Sequence, residues 1–283
     1  MNLTIEPIPA FEDNYIWLLH RPGDASCAVV DPGQAAPVIE RLRRDGLRLD
    51  AILITHHHGD HIGGLAELRQ RWPRVEVFGP RDPRIPGLTR VVADGDRVRL
   101  AGFDPKPSRT GLETGLDQVR SDGAGDAIEL EVMAVPGHTA THIAYRTDDC
   151  LFCGDTLFAA GCGRVFDGRV EDLAASLRLI AALPPSTGCY CAHEYTLANL
   201  GFARWVEPQS QAIAAAIAAA EQRRAQGLPT VPTTLADELS VNPFLRTAEP
   251  VVIAAAERFA GAPLDGPTPV FTALRRWKDE RYD

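Results

Sequence analysis

The chain has 283 residues, with 38 acidic against 29 basic side chains and a formal charge of −9. That length predicts one large domain or two smaller ones, and 45% hydrophobic with 24% charged residues is the composition of a soluble globular protein with a real core. The acidic balance excludes the basic stripe of a nucleic-acid binder, no apolar run reaches the ~18–20 residues of a membrane span, and Met1-Asn2-Leu3-Thr4-Ile5-Glu6-Pro7 lacks the basic and apolar regions of a secretory signal. A cytoplasmic monomer with no nucleic-acid or membrane partner is expected.

Residues 16–19 and 27–30 have the composition of strands and lead to the turn Asp31-Pro32-Gly33. Residues 37–45 carry helical periodicity and stop at Gly46, and 51–55 form a short apolar strand of the kind buried on both faces. A helix is predicted over 62–71, ended near Pro73, and a strand over 75–78. Residues 91–100 alternate around Asp94-Gly95-Asp96 and predict a hairpin. Strands follow over 128–135, 143–146 and 150–153. Residues 103–126, rich in Gly, Asp, Ser and Pro without a hydrophobic period, read as a loop insertion. Beyond His193 the pattern turns helical, over 211–226 up to Gly227, 235–239 and 249–259. An α/β domain over residues 1–193 carrying a helical domain over 194–283 is the expected organisation.

Six cysteines are too sparse for a disulfide framework, and those in Cys150-Leu-Phe-Cys153 and Cys189-Tyr-Cys191 sit in strand-like stretches as small buried hydrophobes. Only two of the basic residues are lysines, Lys106 and Lys278.

The informative segment is Thr55-His56-His57-His58-Gly59-Asp60-His61, between a buried strand and a helix. Strand-to-helix loops at carboxyl ends of strands are where α/β folds place their chemistry. His56, His58, Asp60 and His61 are metal-capable, and three more such residues, His138, Asp155 and His193, each close a strand-like run downstream. Five of the eight histidines fall in this set. Imidazole with carboxylate suits Zn, Fe or Mn better than Mg or Ca. Seven ligands exceed the need of one tetrahedral zinc and suit two metals sharing a carboxylate and a water.

His56-x-His58-x-Asp60-His61 with His138, Asp155 and His193 resembles the metallo-β-lactamase fold superfamily, whose members are α/β proteins built as an αββα sandwich. The resemblance implies that His56, His58 and His138 hold one metal, that Asp60, His61 and His193 hold the other, and that Asp155 bridges them. His57 falls outside the pattern, and His142 reads as a supporting histidine. Four further segments, Gly154-Asp155-Thr156-Leu157-Phe158-Ala159-Ala160-Gly161-Cys162-Gly163-Arg164, Cys191-Ala192-His193-Glu194-Tyr195-Thr196, Val241-Asn242-Pro243-Phe244-Leu245-Arg246 and Leu274-Arg275-Arg276-Trp277-Lys278-Asp279, are similar to the glyoxalase II family of hydroxyacylglutathione hydrolases. The likeness implies two divalent metal ions, zinc first with iron or manganese as alternatives, and hydrolysis of S-lactoylglutathione to D-lactate and glutathione by a metal-bridging hydroxide, with Asp60 and Asp155 at the reacting centre. It places glutathione contacts at Arg164, Tyr195, Arg275 and Lys278, residue types that suit capture of the tripeptide's carboxylates. Phe166 stands where the family often has a second tyrosine, which removes a hydroxyl from the tripeptide's reach. Two rival readings stay open: a single-iron glutathione persulfide dioxygenase, and a non-catalytic metal-binding scaffold on the same fold.

Overall fold

The computed structural model of the chain describes residues 3–100 and 128–282, so the predicted insertion at 103–126 lies outside the described residues. The first sheet is built in chain order from β1 (Thr4–Ala10), β2 (Asn14–His20), β3 (Ser26–Val30), β4 (Arg48–Leu53), β5 (Glu76–Gly79) and β6 (Arg90–Val91). The first three strands are antiparallel and the rest parallel. Parallel neighbours need crossovers, which α1 (Ala35–Asp45) supplies between β3 and β4, and α2 (Gly59–Ile62) with α3 (Leu65–Arg71) between β4 and β5. α1 stops as predicted, with Gly46 in the left-handed conformation (φ 67°) and its N–H on the Leu42 carbonyl. The helix predicted over 62–71 is instead two pieces, because Gly64 N–H turns to the Pro32 carbonyl at 2.9 Å.

Strand alternation fills two layers of core. Trp17, Leu19, Ala28, Val30, Ala51 and Leu53 face the larger cluster between the sheets. Ile16, Leu18, Cys27, Val29 and Ile52 face the other way, beneath Val38 and Leu42 of α1 and Leu65 and Leu68 of α3. Burial on both faces is why residues 27–30 of β3 and 51–53 of β4 read as unbroken apolar runs.

The second sheet begins with β7 (Arg97–Leu100), β8 (Ile128–Ala134), β9 (Ile143–Arg146) and β10 (Cys150–Gly154), all antiparallel neighbours. A small hairpin, β11 (Leu157–Phe158) and β12 (Gly161–Cys162), and α4 (Val170–Ala181) lead to β13 (Gly188–Cys191), parallel to β10. Then come α5 (Thr196–Val206), α6 (Gln211–Ala225), the edge strand β14 (Thr233–Thr234), α7 (Leu235–Val241), α8 (Pro250–Ala260) and α9 (Pro267–Arg281). The result is an αββα sandwich extended by C-terminal helices. The predicted hairpin over 91–100 does not form: β6 pairs with β5 and β7 with β8, so the turn carries the chain from one sheet to the other. Asp94 and Gly95 bond β8 instead of closing a hairpin, through Ala134 N–H to Asp94 Oδ1 and Gly95 N–H to the Val132 carbonyl.

The C-terminal helices share the sandwich core. Val252, Ala255, Phe271 and Leu274 belong to the same cluster as Phe152 of β10 and Leu177 of α4. All six cysteines are free and five are buried, and Cys189 and Cys191 pack as the apolar residues expected of them. Among the described residues no helix is long and apolar enough to cross a membrane. Leu42→Ala, which opens a cavity under α1 far from the strand-end loops, is expected to cost about 2–5 kcal/mol in urea unfolding.

Candidate metal centre

The two sheets are stitched together at one end. Tyr145 Oη donates to the Ile54 carbonyl, Ile143 N–H to the Thr55 carbonyl, Trp17 Nε1 to the Cys191 carbonyl, and Tyr15 N–H to the Ala192 carbonyl. At this seam the chain leaves β4, β8, β10 and β13, and each exit delivers metal-capable side chains: 56–61, His138, Asp155 and His193. All seven predicted residues therefore meet, in two groups whose donor atoms lie within 4.8 Å of one another.

The first group joins His56 Nε2, His58 Nδ1, His138 Nε2 and Asp155 Oδ2, with separations of 3.1 Å (His56–His58), 3.0 Å (His58–His138), 3.4 Å (His138–Asp155) and 4.0 Å (His56–Asp155). The second joins Asp60 Oδ2, His61 Nε2 and His193 Nε2 to the other oxygen of Asp155. His61 and His193 each stand 3.4 Å from Asp60 Oδ2 and 3.4 Å from Asp155 Oδ1. A tetrahedron with edges of this length has its corners about 2.1 Å from its centre, the usual zinc–nitrogen and zinc–oxygen distance. His61 Nε2 and Asp155 Oδ1 are buried and, among the described residues, have no hydrogen-bond partner. Unpartnered buried polar atoms are uncommon, and these two face the other donors, where an ion would complete them. The donor set, its spacing and these two orphaned atoms fit a dinuclear metal site bridged by Asp155.

Charge supports the same fit. Burial, reinforced by neighbouring imidazoles, holds His56 well below the usual histidine range, and burial brings His58 down to about 4, so both are neutral donors at pH 7. Burial also lowers His138. In the second group burial is outweighed by carboxylates: Asp155 and Asp31 raise His61, and Asp155 and Asp60 bring His193 up to about 10. Burial opposes ionisation of Asp155 too, yet His61 and His193 hold its carboxyl well below the ordinary range. Two anions beside two imidazoles favour positive charge at this point, which a divalent cation would supply.

The nitrogens that face away from the centre are fixed as well. His138 Nδ1 donates to the Arg164 carbonyl at 2.8 Å, which turns the lone pair of Nε2 inward. His193 Nδ1 is 3.0 Å from Asp13 Oδ1, and His61 Nδ1 is 3.0 Å from Asp31 Oδ2. Asp31 also accepts from Thr55 N–H and Oγ1, and Thr55 Oγ1 faces His56 Nδ1 at 3.1 Å. Asn14 Nδ2 donates to Asp60 Oδ2 at 3.1 Å. Sequence reading missed Asp13, Asn14 and Asp31, reading the last only as part of a turn. The signal available was an aspartate directly after a buried parallel strand, the position that also carries the ligands. His142 supports as expected, stacking on His56 and accepting Asp155 N–H at Nε2. His57 lies outside both groups, 3.6 Å from Asp82. Gly163 is required by crowding, because a Cβ there would lie 2.0 Å from the Asp155 carbonyl and 2.9 Å from His138 Nδ1.

A cavity of about 530 Å³ opens over the centre. His58, Asp60, His138, Asp155 and His193 form its floor, and Arg164, Tyr195, Arg275 and Lys278 line it together with Phe158, Cys162 and Phe166. Tyr195 stacks on His193 at 4.7 Å. Arg275 and Lys278, one turn apart on α9, are only 3% and 6% exposed, so this helix is not a solvated terminal one. Arg275 spends Nη1 on the Cys162 carbonyl and Nη2 on Asp279, while Arg164 lies 3.8 Å from the same aspartate. Phe166 is 64% exposed and sets its ring edge-on to His58 and His138 at the cavity mouth.

Fold and centre together define a metallo-β-lactamase superfamily protein, and residues 11–193 match the family model described as the metallo-beta-lactamase superfamily. Residues 194–281 match the model for the hydroxyacylglutathione hydrolase C-terminus. A hydroxyacylglutathione hydrolase of Aliivibrio salmonicida is 48% identical over 278 residues, 98% of this chain and 99% of the relative. One of Alkalilimnicola ehrlichii is 49% identical over 276 residues, 98% of each. The chain belongs to the hydroxyacylglutathione hydrolase family. Its fold is also that of the crystal structure of ETHE1 from Myxococcus xanthus, with TM-score 0.62 at 22% identity over 100% of this chain and 93% of that one. Asp31→Ala, which frees the rings of His61 and His56 without removing a donor atom, is expected to weaken zinc binding about 10–100-fold in a chelator competition.

Proposed function

We propose that this protein hydrolyses glutathione thioesters such as S-lactoylglutathione to D-lactate and glutathione. The observation that carries the reading is the single cavity that joins the dinuclear centre to Arg164, Tyr195, Arg275 and Lys278. His56, His58 and His138 would hold one divalent ion and Asp60, His61 and His193 the other, with one oxygen of Asp155 directed at each group. Zinc is the first choice by donor type, with iron and manganese as alternatives. Ions bound there would supply a water acidic enough to ionise near neutral pH and a Lewis acid for the thioester carbonyl.

The chain's own residues do the rest. Lys278 and Arg164 offer the cavity charge for the carboxylates of the tripeptide, and Tyr195 offers a hydroxyl beside the stacked His193. Arg275 is held by Cys162 and Asp279 in a fixed orientation, so little freedom is lost when it meets an anion. Together they orient the thioester over Asp60 and Asp155, supplying proximity. The departing thiolate needs little help from an acid. Phe166 gives the mouth of the cavity an apolar wall where a tyrosine hydroxyl would offer a hydrogen bond.

Names and coverage of the relatives support this reading, as does retention of all seven donors, more than a single-iron centre uses and more than a scaffold keeps. The division into residues 1–193 and 194–283 belongs to the same proposal and is supported by two matches that meet at residues 193 and 194. Six free cysteines fit a reducing, cytoplasmic setting. A monomer without nucleic-acid or membrane partners completes the reading.

Asp155→Ala and His58→Ala are expected to abolish hydrolysis of S-lactoylglutathione together with metal content, and an unimpaired rate in either variant contradicts the dinuclear reading. Lys278→Ala is expected to raise KM at least about tenfold while kcat changes less than threefold. The reverse split would remove Lys278 from the substrate clamp.

A further inference from the structure

The hairpin of β11 and β12 joins Asp155 to Arg164, whose carbonyl orients His138. It is too short to hold its own shape. Only two residue pairs register across it, Leu157 with Cys162 and Phe158 with Gly161. Ala160 at its tip has φ of 55°, a left-handed conformation that costs a residue with a Cβ about 1–2 kcal/mol.

The C-terminal helices supply what the hairpin lacks. Ala160 N–H donates to Glu238 Oε2 at 2.8 Å, and Asn242 Nδ2 donates at 2.9 Å both to the Gly161 carbonyl and to Glu238 Oε2. Asn199 Nδ2 donates to the Ala159 carbonyl at 3.0 Å, and Arg275 Nη1 to the Cys162 carbonyl at 3.1 Å. Four side chains from three helices thus hold four consecutive residues, 159–162, by backbone atoms. Asn199 and Arg275 also line the cavity, whereas Glu238 and Asn242 lie behind the hairpin, 1% and 0% exposed. A buried carboxyl is costly to keep unless its bonds are needed. Thr233 Oγ1 completes the set at 2.8 Å from Glu238 Oε1.

We propose that Glu238 is a positioning residue of the metal centre: with Asn242 it fixes the Leu157–Cys162 hairpin, and through it the placement of Asp155 and of the Arg164 carbonyl. The path is short. Gly163 N–H returns to the Thr156 carbonyl at 3.3 Å, which ties the base of the hairpin to the residue after Asp155. Burial pushes the Glu238 carboxyl up to about 7. Both carboxyl oxygens accept within the clamp, Oε1 from Thr233 Oγ1 and Oε2 from Ala160 N–H and Asn242 Nδ2. Glutamine keeps the bonds from Ala160 and Asn242 on its carbonyl oxygen and can donate its amide N–H to the Thr233 hydroxyl oxygen, whereas leucine keeps none of them, which separates the clamp from mere filling of space.

The inference rests on the metal-centre reading, so the experiment begins with zinc binding by the unaltered protein. Zinc affinity by chelator competition, kcat and KM for S-lactoylglutathione, and Tm are then compared for E238Q, E238L, N242A and V252A. Val252, in the core of α8, controls for general destabilisation. E238Q is expected to stay within about twofold of the parent throughout. E238L is expected to lose about tenfold or more in zinc affinity and in kcat, with KM within about twofold. V252A is expected to lower Tm without changing zinc affinity. Should E238L fail to fold, N242A decides: a loss of about tenfold in zinc affinity supports the clamp and an unchanged affinity overturns it. Parent-like affinity and kcat in folded E238L, or an equal loss in V252A, likewise overturns it. Failure of the unaltered protein to bind two zinc ions instead removes the metal-centre reading itself.

Discussion

A buried carboxylate shared between two groups of imidazoles is the constraint around which this protein is arranged. Asp155 is 6% exposed and directs one oxygen at each group. Burying such a charge costs several kcal/mol unless it is paired and hydrogen-bonded, so its surroundings must be cationic and rigid. The fold meets both demands by placing the centre on the seam between two sheets, where four strand exits converge and bonds from each sheet cross to the other. Because the outward nitrogens of His61, His138 and His193 are tied to Asp31, the Arg164 carbonyl and Asp13, the inward atoms are placed before any ion arrives. Pre-placed donors bind metal without a large ordering cost.

The same constraint explains why the C-terminal helices are more than an appended module. They share the central apolar cluster, reach through Asn199, Asn242, Glu238 and Arg275 to the hairpin that follows Asp155, and present Lys278 to the cavity. The same helices therefore line the cavity and support the centre, and Arg275 does both. A net charge of −9 would repel an anionic substrate at long range. Under the proposed function, attraction would come from the local field of bound cations with the cavity residues Arg164, Arg275 and Lys278.

Much of this was legible from sequence where local chemistry is self-announcing. The five clustered or strand-closing histidines with Asp60 and Asp155 identified the centre, because few other roles need those residue types at strand ends. The helix stopped by Gly46 and the apolar strand before Thr55 were readable because a left-handed cap and two-sided burial leave clear marks. What escaped depended on long-range pairing. The alternation over 91–100 is real, with Val98 and Leu100 inward, but it cannot tell which strand will accept it, and the partner proved to be β8 rather than a neighbour in sequence. Asp13 and Glu238 were invisible for the same reason, and Asp31 was marked only by its place directly after a buried strand. Each is an ordinary acidic residue until the fold brings His61, His193 or Ala160 against it.

Thioester hydrolysis is expected to need both halves of the centre filled. Titrating metal-free protein with zinc while following S-lactoylglutathione hydrolysis tests it most directly. Activity is expected to rise until two equivalents are bound per chain and then to stay level. Full activity at one equivalent, or no hydrolysis with two bound, would contradict it.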